Sequence, residues 1–410
     1  MSGAGFDYTP LLRKGLAAPA PRFGGFPRFN FIGGHNDPGL IPSEALAEAA
    51  AAVLRREGPN LAMYNLSHGP QGFVGLRDFV VKKLAGRGIA CTRDDVLITS
   101  GSGQGIELVS HILIEPGDTV IVEEFSYGGA ITRLRRVGAT LVGAPLDDQG
   151  IKIDALGAIL DDLARKGVRP KFIYTIPSIQ NPTGSVLPLE RRQALLALAK
   201  KHGVPIFEDE CYTDLQFRAD MPSALYGLDP SQVIHIGSFS KSLAPALRVG
   251  YLVAPWQILS RLIPCKTDGG TGALEQMVIA EYFGRQFEHH VKELSAALRA
   301  KLDTMVDALG AEFGTAVECW RPDGGIFLWL KLPDAVDVTK LVKPAADAGI
   351  AFNPGPEWAC DGAAAKSYMR LCFALPSHDE IRAGVAELAR VCYEQTGIPV
   401  RSANVKRAAC

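Results

Sequence analysis

Nowhere in this chain is there an uncharged apolar run long enough to span a bilayer, and its first thirty residues carry proline, glycine and arginine in place of a secretion signal's apolar core. That segment reads as an N-terminal arm. Charge of one sign is equally scarce. Lysine and arginine total 43 against 44 acidic residues, and the formal net charge of -1 gives no field to draw in nucleic acid or an anionic membrane. The eight cysteines, at positions 91, 211, 265, 319, 360, 372, 392 and 410, form no Cys-x-x-Cys pair and no tight group with histidine, so they suggest neither a zinc site nor a disulfide framework. Scattered reduced thiols fit a cytoplasmic protein. No internal repeat or low-complexity segment is evident. The expected partner is a small molecule.

What is present is an alternating pattern. With 47% hydrophobic residues in 410, the chain can build one large and one small domain. From about residue 75 to 275, short apolar runs such as Val96-Leu97-Ile98-Thr99, Thr119-Val120-Ile121-Val122, Lys171-Phe172-Ile173-Tyr174 and Pro205-Ile206-Phe207 alternate with helix-period stretches such as residues 189–202. This predicts an α/β fold with a doubly wound, mainly parallel sheet. A long helix is expected from near Ala273 toward Arg299. Beyond Lys301 come strands around Ile326-Phe327-Leu328-Trp329 and residues 368–373, then a closing helix from His378 to Glu394. The expected division is an arm at 1–45 belonging to the small domain, a large domain at 46–290 and a small α/β domain at 291–410.

Chemistry concentrates in Gly237-Ser238-Phe239-Ser240-Lys241-Ser242, with Arg248 seven positions past the lysine. Apolar strands enter and leave this segment, which places Lys241 at a strand end, where α/β proteins bind ligands. A buried lysine readily becomes a nucleophile toward an aldehyde, and nearby hydroxyls and a guanidinium suit a phosphate. Aldehyde plus phosphate describes pyridoxal 5'-phosphate (PLP). The turn Thr99-Ser100-Gly101-Ser102-Gly103-Gln104-Gly105, between a strand and a helix, forms an anion site from backbone N–H groups. Taken alone it equally fits a dinucleotide fingerprint with Glu123 downstream, although its spacing is GxGxG instead of GxGxxG. With Lys241, it reads as a phosphate site. Asp209, just past a strand, suits a protonated ring nitrogen. Asn181, in a rigid Asn-Pro-Thr-Gly loop, and Tyr212 are placed to donate to a phenolate oxygen, and Tyr127 to stack on a ring.

These motifs together resemble the class I/II aminotransferases, which are fold type I PLP-dependent transferases, and are most like the 2-aminoadipate/kynurenine type. The match runs from about Asp37 to the end of the closing helix. The resemblance implies Lys241 as the Schiff-base lysine, Asp209 at the pyridine nitrogen, and Asn181 with Tyr212 at the phenolate oxygen. It further implies Tyr127 on the ring and Ser102, Gly103, Gln104, Ser238, Ser240 and Arg248 around the phosphate. Arg370 would grip the substrate α-carboxylate. Tyr64, ahead of Gly69-Pro70-Gln71-Gly72, would reach the phosphate from the other subunit of a homodimer. No metal is implied.

The implied reaction moves an amino group between an α-amino acid and a 2-oxo acid, with Lys241 first the covalent anchor and then the acid/base. The same constellation serves a PLP lyase or a decarboxylating or oxidative deaminase. The PLP-binding half of a transcription regulator is a third reading. It would need a helix-turn-helix domain upstream, and the arm of about forty residues shows no such pattern. One segment departs from the Gly-x-Pro-x-Pro pattern of ordinary transaminases: Gly33-Gly34-His35-Asn36-Asp37-Pro38. By analogy Gly34 and His35 line the substrate side, where His35 or Asn36 reads a polar side chain or supplies an acid/base. Alternatively His35, Asn36 and Asp37 shape a turn before a helix near Ser43.

Overall fold

The computed structural model describes residues 5–16, 19–20 and 22–400; Cys410 lies outside them. Seven short apolar segments form the central sheet: β1 (Val96–Thr99), β2 (Thr119–Glu123), β3 (Thr140–Ala144), β4 (Ile173–Thr175), β5 (Ile206–Asp209), β6 (Val233–Ser238) and β7 (Gly250–Val253). Their spatial order is β1-β7-β6-β5-β4-β2-β3. Only β7 runs antiparallel to its neighbours in this sheet.

Side chains alternate between two cores with the strand period of two. Leu97, Val120, Phe207, Ile236 and Leu252 pack under the helices Ser102–Leu113, Gly128–Arg136 and Trp256–Cys265. Ile98, Ile121, Ile206, Val233 and Tyr251 face the opposite core, closed by Val74–Ala85, Ile153–Arg165 and Leu189–His202. In every strand of this sheet but the edge strand β3, burial on both faces explains the continuous apolar runs. Every strand but β7 points the same way, so the turns after β1, β2, β4, β5 and β6 gather at one sheet edge.

A second sheet, in the order Glu318–Cys319, Phe327–Lys331, Tyr368–Cys372 and Asn353–Pro354, is antiparallel throughout. It packs against the closing helix His378–Thr396, which starts at a Ser377/Glu380 capping box. Phe29–Asn30 pairs in parallel with Ile350–Ala351, which ties the arm to this second unit. The long helix spans Ala273–Glu312 and runs well past the expected Arg299. The charge at Lys301 does not end it, because that ammonium is buried against Asp37 Oδ2 (2.5 Å) and the Ala374 carbonyl (2.8 Å).

Three consecutive acids close β5, and each is buried with partners of its own. Asp209 faces the ligand edge, while Glu208 and Glu210 alternate to the other side. Glu208 accepts from the backbone N–H groups of Leu225 and Tyr226 and contacts His235 at 2.9 Å. Glu210 meets Arg87 (2.9 Å), Arg192 (3.5 Å) and the Ser178 hydroxyl (2.6 Å). Burial alone would raise its pKa, but the two guanidiniums hold it at about 2. That contribution to stability is complete above the unfolded carboxylate value and is lost as pH falls through the folded one. Glu208, Glu210 and His235 lie close enough to hold a cation, yet these contacts already engage both carboxylates. Arg192 also donates to the carbonyls of Leu187, Pro177 and Ser223. Arg192→Met should therefore cost about 3–5 kcal/mol by stranding a buried carboxylate and lower the thermal unfolding midpoint by several degrees. An unchanged midpoint would show that Arg87 alone carries Glu210.

Candidate active site

The turns at the carboxyl edge of the sheet enclose a cavity of about 570 Å³, closed on the far side by the arm and the second sheet. Lys241 enters it from the turn after β6. Its Nζ donates to the Gly34 carbonyl at 2.8 Å, and a Cβ on Gly34 would stand 2.1 Å from that nitrogen. A side chain at position 34 would displace the amine from this carbonyl. Burial, reinforced by the charges of Arg370 and Arg248, lowers the Lys241 pKa to about 8.

Opposite it stands Asp209. Its Oδ2 accepts from the Tyr174 hydroxyl at 2.6 Å and its Oδ1 from the Cys211 N–H at 3.2 Å. Desolvation still raises its pKa, so a cationic ring nitrogen beside it would offset a cost the fold has already incurred. Tyr212 accepts from Asn181 Nδ2 at 3.3 Å, and burial raises the pKa values of Tyr212 and Tyr127, keeping both phenols protonated as donors.

One end of the cavity is built for an anion. The chain leaves β1 through Gly101 (φ 77°) and enters the helix at Ser102, so the unpaired N–H groups of the first turn face the cavity. Arg248, in the left-handed region at φ 53°, donates to Ser240 Oγ (3.3 Å), and Ser238 Oγ accepts from the Ser240 N–H (3.1 Å).

The other end is organised by Arg370. Its guanidinium carbon lies 3.5 Å from the ring centroids of both Phe327 and Trp358, an aromatic sandwich that fixes its plane. Nη1 donates to Asn181 Oδ1 (3.1 Å), and Nη2 to Asn353 Oδ1 (2.7 Å) and the Gly33 carbonyl (3.2 Å). Nε is buried with no hydrogen-bond partner among the described residues, and burial lowers the pKa to about 10. Basic side chains outnumber acids around the cavity: Arg133, Arg136, Lys241, Arg248 and Arg370 against Asp209 and Glu357. The site is built to receive anions.

Most of the expected residues converge here: Gly34, Ser102, Gly103, Tyr127, Asn181, Asp209, Tyr212, Ser238, Ser240, Lys241, Arg248 and Arg370 all line the cavity. Three expected side chains do not. Gln104 is drawn away, its amide bound to the Ser100 N–H (2.8 Å) and Asp268 (2.7 Å). His35 leaves the substrate wall to pack edge-on against Phe26 (5.5 Å). Tyr64 is 88% exposed on this chain. Asn36 donates to the carbonyls of Lys241 (3.3 Å) and Leu243 (3.0 Å), and Asp37 caps the Gly39 N–H at 2.8 Å ahead of the helix Ser43–Glu57. Those two residues therefore shape and anchor a turn. Sequence reasoning missed Trp358, Phe327, Asn353 and Tyr174. A hint for the first lay in the rarity of tryptophan, four in the chain, and in its setting Asn353-Pro354-Gly355-Pro356-Glu357-Trp358.

A desolvated lysine amine, a helix N-terminus backed by arginine and a buried carboxylate match the aldehyde, phosphate and ring nitrogen of PLP. Together with the sheet topology they define a PLP-dependent enzyme of fold type I. The family pattern of aminotransferase class I and II matches residues 34–388, and the chain belongs to that family. It is 35% identical to a 2-aminoadipate transaminase of Thermus thermophilus over 88% of this chain and 89% of that one. Among solved structures it is similar to the Thermus thermophilus alpha-aminoadipate aminotransferase complexed with N-(5'-phosphopyridoxyl)-L-leucine (TM-score 0.83, 34% identity, covering 90% of this chain and 93% of that chain). It is also similar to a Pyrococcus horikoshii kynurenine aminotransferase in complex with PMP (TM-score 0.83, 31% identity, 90% and 91%). The protein is a PLP-dependent aminotransferase.

The neutral amine is the nucleophile, so the visible absorption band that forms when PLP is added to cofactor-free protein should appear faster as pH rises, reaching half its maximal rate near 8. A midpoint at the ordinary lysine value of 10.5 would show that Lys241 is not desolvated.

Proposed function

We propose that this aminotransferase acts on an α-amino acid and a 2-oxo acid, with Lys241 bonding the cofactor's aldehyde and then moving a proton at the substrate's α-carbon. The observation that carries this reading is that two adjacent carbonyls, those of Gly33 and Gly34, hold Arg370 and Lys241 in one cavity. Bound there, PLP supplies the aldehyde and the electron-withdrawing ring that make the α-hydrogen acidic. The chain does the rest. Arg370, its plane fixed by Phe327 and Trp358, binds the α-carboxylate through its planar fork. A carboxylate held in one orientation leaves the α-hydrogen toward Lys241 and favours deprotonation over decarboxylation. Asp209 would hold the proton on the ring nitrogen, Asn181 and Tyr212 would donate to the phenolate oxygen, and Tyr127 would pack on the ring. Ser102, Gly103, Gln104 through its backbone, Ser238, Ser240 and Arg248 bind the phosphate.

A homodimer completes this reading. Leu61, Met63 and Tyr64 are consecutive or near neighbours that stay exposed on the single chain, which suits a surface covered by a second copy, with Tyr64 reaching that copy's phosphate site. The proposed division is 1–45 with 291–410 as the small domain and 46–290 as the large one, with the helix Ala273–Glu312 crossing between them. Free thiols at all seven described cysteines support a cytoplasmic setting.

The test is to mix the holoenzyme with a panel of amino acids, without a 2-oxo acid, and assay cofactor form and ammonia together. Stoichiometric conversion to pyridoxamine phosphate without ammonia is expected, and the amino acid that causes it is the donor. Repeated release of ammonia with PLP retained would mean elimination or oxidative deamination instead. Lys241→Ala should abolish the lysine-bound absorption band while leaving phosphate binding. Arg370→Ala should weaken amino acid binding by about thirtyfold or more, the cost of stranding a buried carboxylate; unaltered affinity across the panel would give Arg370 another role.

A further inference from the structure

The anion end of the cavity holds a second arginine that the motifs do not reveal. Arg133 lies on the helix Gly128–Arg136 and lines the same cavity as Arg248. Its Nη1 donates back to the Gly129 carbonyl at 2.9 Å and its Nε to Glu107 Oε1 at 3.1 Å, so the guanidinium is held toward the helix's first turn. The remaining nitrogen, Nη2, faces Gly103. A Cβ on Gly103 would meet that nitrogen at 2.7 Å, just as a Cβ on Gly101 would meet Arg248 Nη2 at 2.4 Å.

The two glycines therefore do parallel work. Gly101 has a positive φ that favours glycine in any case. Gly103 does not, and sits inside a helix's first turn, where alanine would be the more stable residue. A Cβ there would push the Arg133 guanidinium away from the turn. On either side of Ser102 a missing side chain admits a guanidinium to the backbone of the anion-binding turn.

We propose that Arg133 is a second guanidinium clamp on the cofactor phosphate, and that its work is to retain the cofactor in its amine form. This rests on the phosphate reading of Ser102, Gly103 and Arg248. In the half of a transamination cycle that ends with an amine on the cofactor, no covalent bond joins it to Lys241, and the phosphate becomes its principal anchor. One guanidinium shares its donors with Ser240 Oγ and the Pro245 carbonyl. A second, with a free edge toward the same turn, adds a charge-assisted hydrogen bond when covalent attachment is absent.

The competing role is structural, since the Arg133–Glu107 pair also joins two helices. The experiment separates them. Holoenzyme of wild type, Arg133→Gln, Arg133→Lys and Glu107→Gln is converted to the amine form with its amino acid donor, and release of pyridoxamine phosphate is followed after rapid dilution. Arg133→Gln should release it about tenfold faster or more, the worth of a hydrogen bond to a charged group. Arg133→Lys should fall between, and Glu107→Gln, which loses the ion pair but keeps an amide oxygen to accept from Nε, should release close to the wild-type rate. The lysine-bound absorption maximum should be the same in all four. Release from Arg133→Gln at the wild-type rate would overturn the assignment, as would equal acceleration by Glu107→Gln, which would make Arg133 a helix staple. Wild-type protein that binds pyridoxamine as tightly as pyridoxamine phosphate would instead remove the phosphate site itself.

Discussion

Two neighbouring peptide carbonyls, those of Gly33 and Gly34, set the geometry on which the site depends. One accepts from Arg370 of the second sheet, the other from Lys241 of the turn after β6. The arm thus holds in register two cations that come from distant parts of the chain, and it does so with backbone, which needs no rotamer choice. The absence of a side chain at Gly34 is part of the device, because any Cβ would fall on the lysine amine. Asn36 extends the grip to the carbonyls of Lys241 and Leu243, and Asp37 carries it to Lys301 in the long helix. A segment whose polar residues look like pocket lining is therefore a clamp between layers.

That clamp also explains what was legible in the sequence. Asp209 ends β5, and Ser102, Asn181 and Lys241 lie in the turns after β1, β4 and β6; parallel strands bring their carboxyl ends to one edge, so a local signal sufficed to place them together. The surroundings of Arg370 could not be read this way. Phe327 and Asn353 are on the strands either side of it and Trp358 on the turn-rich stretch that follows, and their meeting around one guanidinium is a product of antiparallel register and a long connection. The side chains of Gln104 and His35 turn away from the cavity for a different reason. Rotamer and partners decide where a side chain points: Asp268, which holds Gln104, is remote in sequence, and Phe26, which packs on His35, lies in an arm whose path no local pattern fixes.

The fold shows the same division. Strands buried on both faces and helices with clean ends, such as Leu189–His202 closed by Gly203 in the left-handed region, are fixed by local pattern. The helix beyond Arg299 is not, since Lys301 reads as a solvent-facing residue until its partners Asp37 and Ala374 are known. Buried charge is misread whenever the neutralising group is remote. The acidic run at residues 208–210 looks like a solvated loop for that reason, yet Arg87, Arg192 and His235 account for two of its members, and the third is left for the ligand.

The charge balance of the cavity is unusual in one further respect. Burial pushes the Lys241 amine and the Arg370 guanidinium down and the Asp209 carboxyl up, so each group is held in an environment that disfavours its own charge. On the reading proposed above, a cationic ring nitrogen at Asp209 and a carboxylate at Arg370 would each supply the opposite sign where it is wanted, while the lysine amine is held ready in its neutral form. The desolvation cost is incurred when the chain folds, and recovered only when ligands of the matching charge arrive. Selectivity for an anionic cofactor and an α-amino acid is thus written into the folding free energy, and the uncharged or wrongly charged ligand finds buried groups it cannot satisfy.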